Sequence, residues 1–175
     1  EKDGKIGRIT LGRPEVLNAI DREISKTLSE CVYEANADDS VHVIILSGSG
    51  NVFCSGYDLK AFAERTTEFS QEMPWNPMKD CNLVMENTDH FMSLWRISRP
   101  VICKINEYAL AGGSDLALCS DLIFMEETRE IGYMPSRVWG ARKLLCWFIK
   151  LEYKKHKECF SLGIKLQVLT RRRWV

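Results

Sequence analysis

The chain has 175 residues, of which 45% are hydrophobic, a size that fits one domain with a sizeable core and is too short for two. Its formal net charge of zero conceals an asymmetry, because residues 1–140 carry 14 basic and 22 acidic side chains whereas residues 141–175 carry 10 and 2. No apolar run of membrane-spanning length, no secretory signal and no metal or disulfide spacing among the seven cysteines and three histidines is present, which favours a reducing cytoplasm.

The first fifty residues predict a strand, a helix and a second strand. Apolar and polar residues alternate from Ile6 to Leu11, as in a half-buried strand, and the turn at Gly12-Arg13-Pro14 ends it. Asp21 is placed to cap a helix whose apolar residues recur at helical spacing. The segment "VHVIILSGSG" then predicts a buried strand that runs into a glycine-rich turn. This order of elements favours an α/β fold.

The middle of the chain predicts a tight turn, a loop and a longer helix. Ser55-Gly56 forms the turn, which leads into a short helix, and residues 65–79 are polar with prolines and predict a loop. A helix is expected from about Asn82 to Trp95. Its candidates for burial are Leu83, Met85, Phe91 and Leu94.

A third strand is expected in "PVICKI", from Pro100 to Ile105, followed by a turn, two glycines, a short helix and a further strand up to residue 125. Gly112 and Gly113 stand directly before the helical pattern "SDLALC". Glycines in that position let a ligand approach backbone N–H groups that have no acceptor within the helix. The short segment is therefore a candidate anion or oxyanion site.

The turn at Ser55-Gly56-Tyr57 offers a second backbone donor, the N–H of Tyr57. Two such donors converging on one oxygen would polarise a carbonyl and hold an enolate. On spacing alone, a glycine pair before a helix more often serves close packing. By the same reasoning, the side chains of Tyr57, Tyr108 and Trp139 are expected to serve in packing rather than in ligand contacts.

Asp115 is the only carboxylate in the apolar segment "AGGSDLALC". A carboxylate in such surroundings is a candidate general acid or base. It is equally explained as a first-turn residue favoured by the helix dipole. The residues alone leave both interpretations open.

Three motifs in chain order resemble the crotonase superfamily, the enoyl-CoA hydratase/isomerase family. "GRITLGRPEVLNAI" resembles its first strand and turn, "VIILSGSGNVFCSGYDLKAF" its first oxyanion loop, and "RPVICKINEYALAGGSDLALCSDLIF" its second oxyanion segment and helix. The resemblance runs from Gly4 to Gly140. It implies an α/β fold, a crotonase-like spiral of ββα units that is incomplete at the C-terminal end, with residues 1–140 as the N-terminal part of an acyl-CoA domain.

The resemblance implies a site for an acyl-CoA thioester. The N–H groups of Tyr57 and Gly112 match the two oxyanion donors, and Asp115 matches the first catalytic carboxylate. No metal or redox cofactor is implied, because the thioester acidifies the α-carbon and the donors stabilise the enolate, so coenzyme A enters only as part of the substrate. The residues implied in substrate binding are Val16, Leu17, Ala19, Ser55, Asp58, Leu59, Tyr108, Leu110, Gly113 and Pro135.

The sequence departs from the hydratase pattern at three positions. Asp115 is one methylene shorter than the glutamate of the family, and Ser136 follows Pro135 where the second glutamate would stand. Glu107 stands where the family has glycine, which indicates a strained turn or a base change. Two functions therefore stay open: a thioester-processing enzyme of the hydratase/isomerase class, and a catalytically inactive acyl-CoA-binding fragment.

Beyond Gly140 the resemblance ends, and we interpret residues 141–175 as the product of a single-nucleotide frameshift. Codons allowed for this segment, read one base earlier, encode "RMLFTGDKITG", a string that resembles the family's next segment. The alternative is a genuine basic tail that binds nucleic acid or a membrane, neither of which we expect. Coding DNA that cannot be read in this way would refute the frameshift.

Two expectations follow from this interpretation. Residues 141–175 should be poorly ordered or form one helix from about residue 144 to residue 153. An intact member of the family is expected to form a homotrimer or hexamer, and a chain without the family's C-terminal part is expected to fail to assemble.

Overall fold

The structure is a computed structural model that describes residues 1–60, 73–74, 76–133 and 165–167. Its larger sheet consists of β1 (Lys2–Asp3), β2 (Ile6–Leu11), β3 (Val43–Gly48), β4 (Val101–Ile105) and β6 (Leu122–Met125), in the spatial order β1-β2-β3-β4-β6. Strand β1 is antiparallel to β2, and the other neighbours are parallel. A smaller sheet contains β5 (Tyr108–Leu110), β7 (Glu130–Gly132) and β8 (Lys165–Gln167).

The described α-helices are α1 (Arg22–Ala37), α2 (Pro77–Arg96) and α3 (Gly112–Leu118), and a 3-10 turn spans Pro14–Val16. Helix α1 begins as predicted, because the carboxylate of Asp21 accepts a hydrogen bond of 2.8 Å from the N–H of Ile24. Strands β2, β3, β4 and β6 also lie where the sequence pattern placed them.

The prediction for α2 is wrong at its start and for one side chain. The helix begins at Pro77 rather than near Asn82, so the predicted loop extends too far. Asn76 caps this end by accepting a hydrogen bond of 3.0 Å from the N–H of Met78, and proline suits the first helical position. Phe91 and Leu94 are buried as expected, but Met85 is 45% exposed, and the side chain of Leu83 is not among those described.

Other differences concern short elements. Helix α3 begins at Gly112 rather than Ser114, so both glycines belong to it. Strands β5, β7 and β8 were not predicted. Of the predicted helix after Tyr57, residues 59 and 60 are helical and the rest lies outside the described residues. The helix expected at residues 144–153 also lies outside them.

The elements repeat in a spiral. After β3, Cys54 forms a bridge to Ala109 of β5, and α2 follows; after β4 come β5 and α3; after β6 comes β7. Each turn thus adds a strand to the larger sheet and a short extended segment to the smaller one, and β5 pairs in parallel with β7. This arrangement is the predicted spiral of ββα units.

The core lies between the larger sheet and the helices packed on it. Its sheet side chains include Ile44, Leu46 and Cys103, all fully buried. Leu28 and Val32 from α1, with Phe91 and Leu94 from α2, cover them. Packing in this core holds strands β2, β3 and β4 in place, so the loops that follow their carboxyl ends start from defined positions.

Candidate functional site

The loops that carry the predicted site residues leave the same edge of the larger sheet. Strands β2, β3 and β4 are parallel neighbours, so the segments that follow Leu11, Gly48 and Ile105 lie together. Ligands of parallel sheets commonly bind outside this carboxyl edge. The predicted donors Tyr57 and Gly112 belong to the second and third of these segments.

Gly56 allows these two segments to come into contact. The N–H of Leu110 donates to the carbonyl of Cys54 at 3.0 Å, which ties the segments together. A Cβ added to Gly56 would lie 2.7 Å from the Cβ of Ala111 and 3.0 Å from the carbonyl oxygen of Leu110. Gly56 also has a φ of +104°, so glycine is required both by the backbone and by the space available.

Tyr57 lies against Gly112. A Cβ on Gly112 would lie 3.0 Å from Cε2 of the tyrosine ring. On the other side, the N–H of Ile20 donates to the carbonyl of Gly56 at 2.7 Å, and the N–H of Asp58 donates to the carbonyl of Ile20 at 2.9 Å. In a parallel bridge of this kind, the amide of the intervening residue, Tyr57, faces away from the partner strand.

The peptide that ends in Gly112 is held in an unusual conformation. Ala111 has a φ of 50° and a ψ of −122°, a region that L-residues rarely adopt and that costs about 1–3 kcal/mol. Its carbonyl accepts hydrogen bonds from the N–H groups of Ser114 at 3.0 Å and Asp115 at 3.2 Å. Since C=O and N–H point in opposite directions in a trans peptide, the N–H of Gly112 points away from α3.

Asp115 lies in the interior beside two phenols. Asp115 is only 4% exposed to solvent. Burial raises the pKa of Tyr57 and Tyr133 above the ordinary tyrosine value, and the negative charge of Asp115 raises both further. Both phenols therefore stay protonated at neutral pH and present O–H groups rather than negative charge around the carboxylate.

The other predicted binding residues that the structure describes lie in the three segments that follow β2, β3 and β4. Val16, Leu17 and Ala19 follow β2, where Leu17 is 47% exposed and its carbonyl accepts a hydrogen bond of 3.1 Å from the N–H of Ser55. Asp58 and Leu59 directly follow Tyr57. Tyr108 and Leu110 belong to β5, and Gly113 belongs to α3. Pro135 and Ser136 lie outside the described residues. A cavity of about 230 Å³ lies between the loop after β2 and the loop after β3, next to Leu17.

Two polar residues of the turn after β2, which the sequence indicated only as part of the family's turn motif, join these loops. Asn18 is fully buried, and its amide donates to the carbonyls of Ser49 at 2.8 Å and Val52 at 2.7 Å. Arg13 contacts Asp58, whose carboxylate lies 3.0 Å from the guanidinium. The acceptors Ser49, Val52 and Asp58 lie 31 to 45 residues away in sequence, so no local pattern indicates these three contacts.

Glu107 adopts a left-handed conformation with a φ of 51°, so the turn is strained, which is one of the two interpretations of its sequence position. Its carboxylate pairs with Arg129 across the turn. The N–H of Glu130 also donates to the carbonyl of Glu107 at 3.1 Å. The start of β7 is therefore attached to the turn that precedes β5.

The described part of the chain contains no cluster of three or more His, Cys, Asp or Glu side chains suited to a metal ion. Its helices include none that is long and apolar enough to cross a membrane. The thiol of Cys54 is buried against Gly113, and burial raises its pKa to about 12. This cysteine is therefore a packing residue rather than a nucleophile at neutral pH.

A family model described as enoyl-CoA hydratase/isomerase matches residues 1–138. "Probable enoyl-CoA hydratase 1, peroxisomal" of Arabidopsis thaliana is 32% identical over 175 aligned residues, which cover 96% of this chain and 60% of the relative. "1,2-epoxyphenylacetyl-CoA isomerase" of Escherichia coli is 32% identical over 117 residues, which cover 66% of this chain and 42% of the relative. The chain spans about half the length of the curated relatives it matches.

Solved structures resemble the fold over a similar extent. An enoyl-CoA hydratase from Mycobacterium smegmatis superposes with a TM-score of 0.86 and 34% identity, covering 95% of this chain and 59% of that one. An enoyl-CoA hydratase/isomerase from Xanthobacter autotrophicus gives a TM-score of 0.79 and 32% identity, with 94% and 58% covered. These similarities show that the chain shares the fold of these structures over about three fifths of their length.

Proposed function

Because the chain belongs to the enoyl-CoA hydratase/isomerase family, we propose that it binds an acyl-CoA thioester and stabilises the enolate formed from it. The proposed donors are the N–H groups of Tyr57 and Gly112. The observation that carries this proposal is the contact of Gly56 and Tyr57 with Ala111 and Gly112 at the carboxyl edge of the sheet. Two backbone segments that are distant in sequence thereby meet at one point.

In this proposal the thioester oxygen accepts a hydrogen bond from each donor, which spreads the negative charge that develops when the α-proton leaves. Asp115 takes that proton as the general base. Return of the proton to another carbon is isomerisation, whereas hydration also needs a group that activates water. Each step is a proton transfer or a hydrogen bond, so the residues proposed require no metal or redox cofactor.

The substrate path is proposed to begin at Val16, Leu17 and Ala19, which would contact the coenzyme. Their loop borders the cavity of about 230 Å³ and is tied to Ser55 by the hydrogen bond from its N–H to Leu17. The residues proposed to continue the path to the acyl group are Ser55, Asp58, Leu59, Tyr108, Leu110, Gly113 and Pro135.

The location and assembly of the whole protein are further proposals. We propose a cytoplasmic location on the basis of cysteine usage, and the relatives include proteins named peroxisomal and mitochondrial. We expect a homotrimer or hexamer for the whole protein and no such assembly for this chain. Sedimentation of this chain and of a version re-encoded in the restored reading frame tests the second expectation.

The proposed chemistry is tested by exchange of the α-proton. Butyryl-CoA incubated with the chain in deuterium oxide should gain deuterium at the α-carbon, and Asp115→Asn should abolish the gain without preventing binding. Isotope-edited infrared spectra of bound crotonyl-CoA should show the thioester carbonyl shifted to lower frequency by the two donors. The control is Asp89→Asn, which changes an exposed carboxylate on α2.

Hydration of crotonyl-CoA by this chain and by the frame-restored version then separates the two functions. If only the frame-restored version hydrates crotonyl-CoA, the intact gene encodes the enzyme and this chain is inactive. Bound acyl-CoA with an unshifted carbonyl and no exchange in either version would overturn the enolate proposal and leave acyl-CoA binding as the function.

A further inference from the structure

Arg13 lies at the junction of three segments around the proposed site. Its Nη1 donates to the carbonyl of Ala19 at 3.0 Å and lies 2.9 Å from Oδ2 of Asp21. Its Nη2 donates to Oδ2 of Asp58 at 3.0 Å. One guanidinium thus connects the loop after β2, the start of α1 and the segment after Tyr57.

These contacts surround the bridge that presents Tyr57. The bridge consists of the hydrogen bonds from the N–H of Ile20 to Gly56 and from the N–H of Asp58 to Ile20. Arg13 holds Ala19 on one side of it and Asp58 on the other. The bridge therefore cannot shift without stretching a contact of the guanidinium.

The charges explain why a cation is needed here. The side chain of Asp58 is 11% exposed and that of Asp21 is 25% exposed, and both carboxylates face the same guanidinium. A nearly buried carboxylate is strongly destabilising without an opposite charge. Lysine has one ammonium group and cannot reproduce the planar set of donors that serves three acceptors.

We propose that Arg13 is a positioning residue, which fixes the Ile20–Tyr57 bridge and so aims the Tyr57 amide into the proposed carbonyl-binding site. This inference rests on the proposed function for its consequence in catalysis. The fixing of the bridge itself does not depend on any ligand. The two parts can therefore be tested separately.

Amide hydrogen exchange of the free chain tests the fixing of the bridge. Arg13→Gln should raise the exchange rates of the Ile20 and Asp58 amides by about tenfold, whereas the Leu110 amide, bonded to Cys54, should change little. The matched control is Arg8→Gln, which removes an exposed arginine paired with Asp3. Equal acceleration of all three amides would mean a general loss of stability and would overturn the proposal.

A second variant separates the contacts of the guanidinium from its charge. In Arg13→Gln combined with Asp58→Asn, the carboxylate that has lost its Arg13 partner is gone, but the contacts of the guanidinium with Ala19 and Asp21 are still absent, so exchange of the Ile20 amide should stay fast. Return of this amide to near its original rate, with the double variant folded, would mean that charge compensation alone holds the bridge and would overturn the proposal.

The catalytic consequence is read from bound crotonyl-CoA. The carbonyl frequency should move back toward the value of free crotonyl-CoA in Arg13→Gln, with affinity changed by less than about threefold. A variant that keeps the full carbonyl shift would overturn the positioning role. If the original chain shows no carbonyl shift at all, the proposed function fails, and the exchange experiment still decides whether Arg13 fixes the bridge.

Discussion

Substitution of Gly56 by alanine should separate the two segments that form the proposed site. The added Cβ would lie 2.7 Å from the Cβ of Ala111 and 3.0 Å from the carbonyl oxygen of Leu110, and the second of these atoms is backbone. The φ of +104° adds a conformational penalty. Both effects act on the same residue, so the loss of stability should be large.

The magnitude of this loss can be estimated from two costs and one compensating gain. A side chain at positive φ costs about 1–2 kcal/mol, and forcing a methyl group into a packed site costs about 1–3 kcal/mol. Alanine returns about 0.4–1 kcal/mol by restricting the unfolded chain. The free energy of unfolding should therefore fall by about 1–4.6 kcal/mol, measured from the midpoint of urea denaturation at constant slope.

Two other glycines supply matched controls. Gly4 has a φ of +58° with nothing within 4 Å of an added Cβ, so Gly4→Ala reports the conformational penalty alone. Gly12 has neither a positive φ nor a close neighbour, so Gly12→Ala should change stability by less than about 0.5 kcal/mol. A loss in Gly56→Ala no larger than that in Gly4→Ala would refute the close contact between the segments.

Three further predictions concern strain, a buried amide and alkaline pH. Glu107→Gly should be more stable than Glu107→Ala by about 1 kcal/mol in urea denaturation, because both lose the pair with Arg129 and only glycine relieves the left-handed φ; equal stability would contradict this strain. Asn18→Ala should lose about 2–4 kcal/mol of stability, since two carbonyls and a backbone N–H lose their partners, and a loss under 1 kcal/mol would count against these bonds. The Cys54 thiol, with a pKa raised from 9.0 to about 12, contributes stability that is present below pH 9 and lost as pH rises to about 12, at about 1.4 kcal/mol per pH unit. Cys54→Ala should reduce the slope of stability against pH in that window, and an unchanged slope would show that the thiol already ionises in the folded state.

The sequence predicted the longer elements because their patterns are local. The alternation from Ile6 to Leu11 and the cap at Asp21 each depend on neighbouring residues, and both are present in the structure. The start of α2 was missed although Asn76 and Pro77 form a recognisable helix start, because the surrounding polar composition predicted a loop. The three-residue strands β5 and β7 are too short for alternation to indicate them.

The geometry of the candidate site depends on contacts that no local pattern encodes. Resemblance selected Tyr57 and Gly112, but the left-handed φ of Ala111 at the peptide before Gly112 follows from packing against Gly56 and from hydrogen bonds to α3. Arg13 was seen only as part of a turn, since its partner Asp58 lies 45 residues away. Strain and long-range ion pairs are properties of the folded chain and therefore escaped the prediction.

The ββα spiral has a consequence for the spacing of the two proposed donors. Cys54 is bridged to Ala109, and Tyr57 and Gly112 each stand three residues further along, at equivalent positions of successive turns. The strand spacing of about 4.8 Å applies at the bridge, and the contact of Tyr57 with Gly112 keeps the two segments together three residues later. The repeat of the backbone thus brings the two donors to neighbouring turns at the same offset, whichever side chains occupy the two positions.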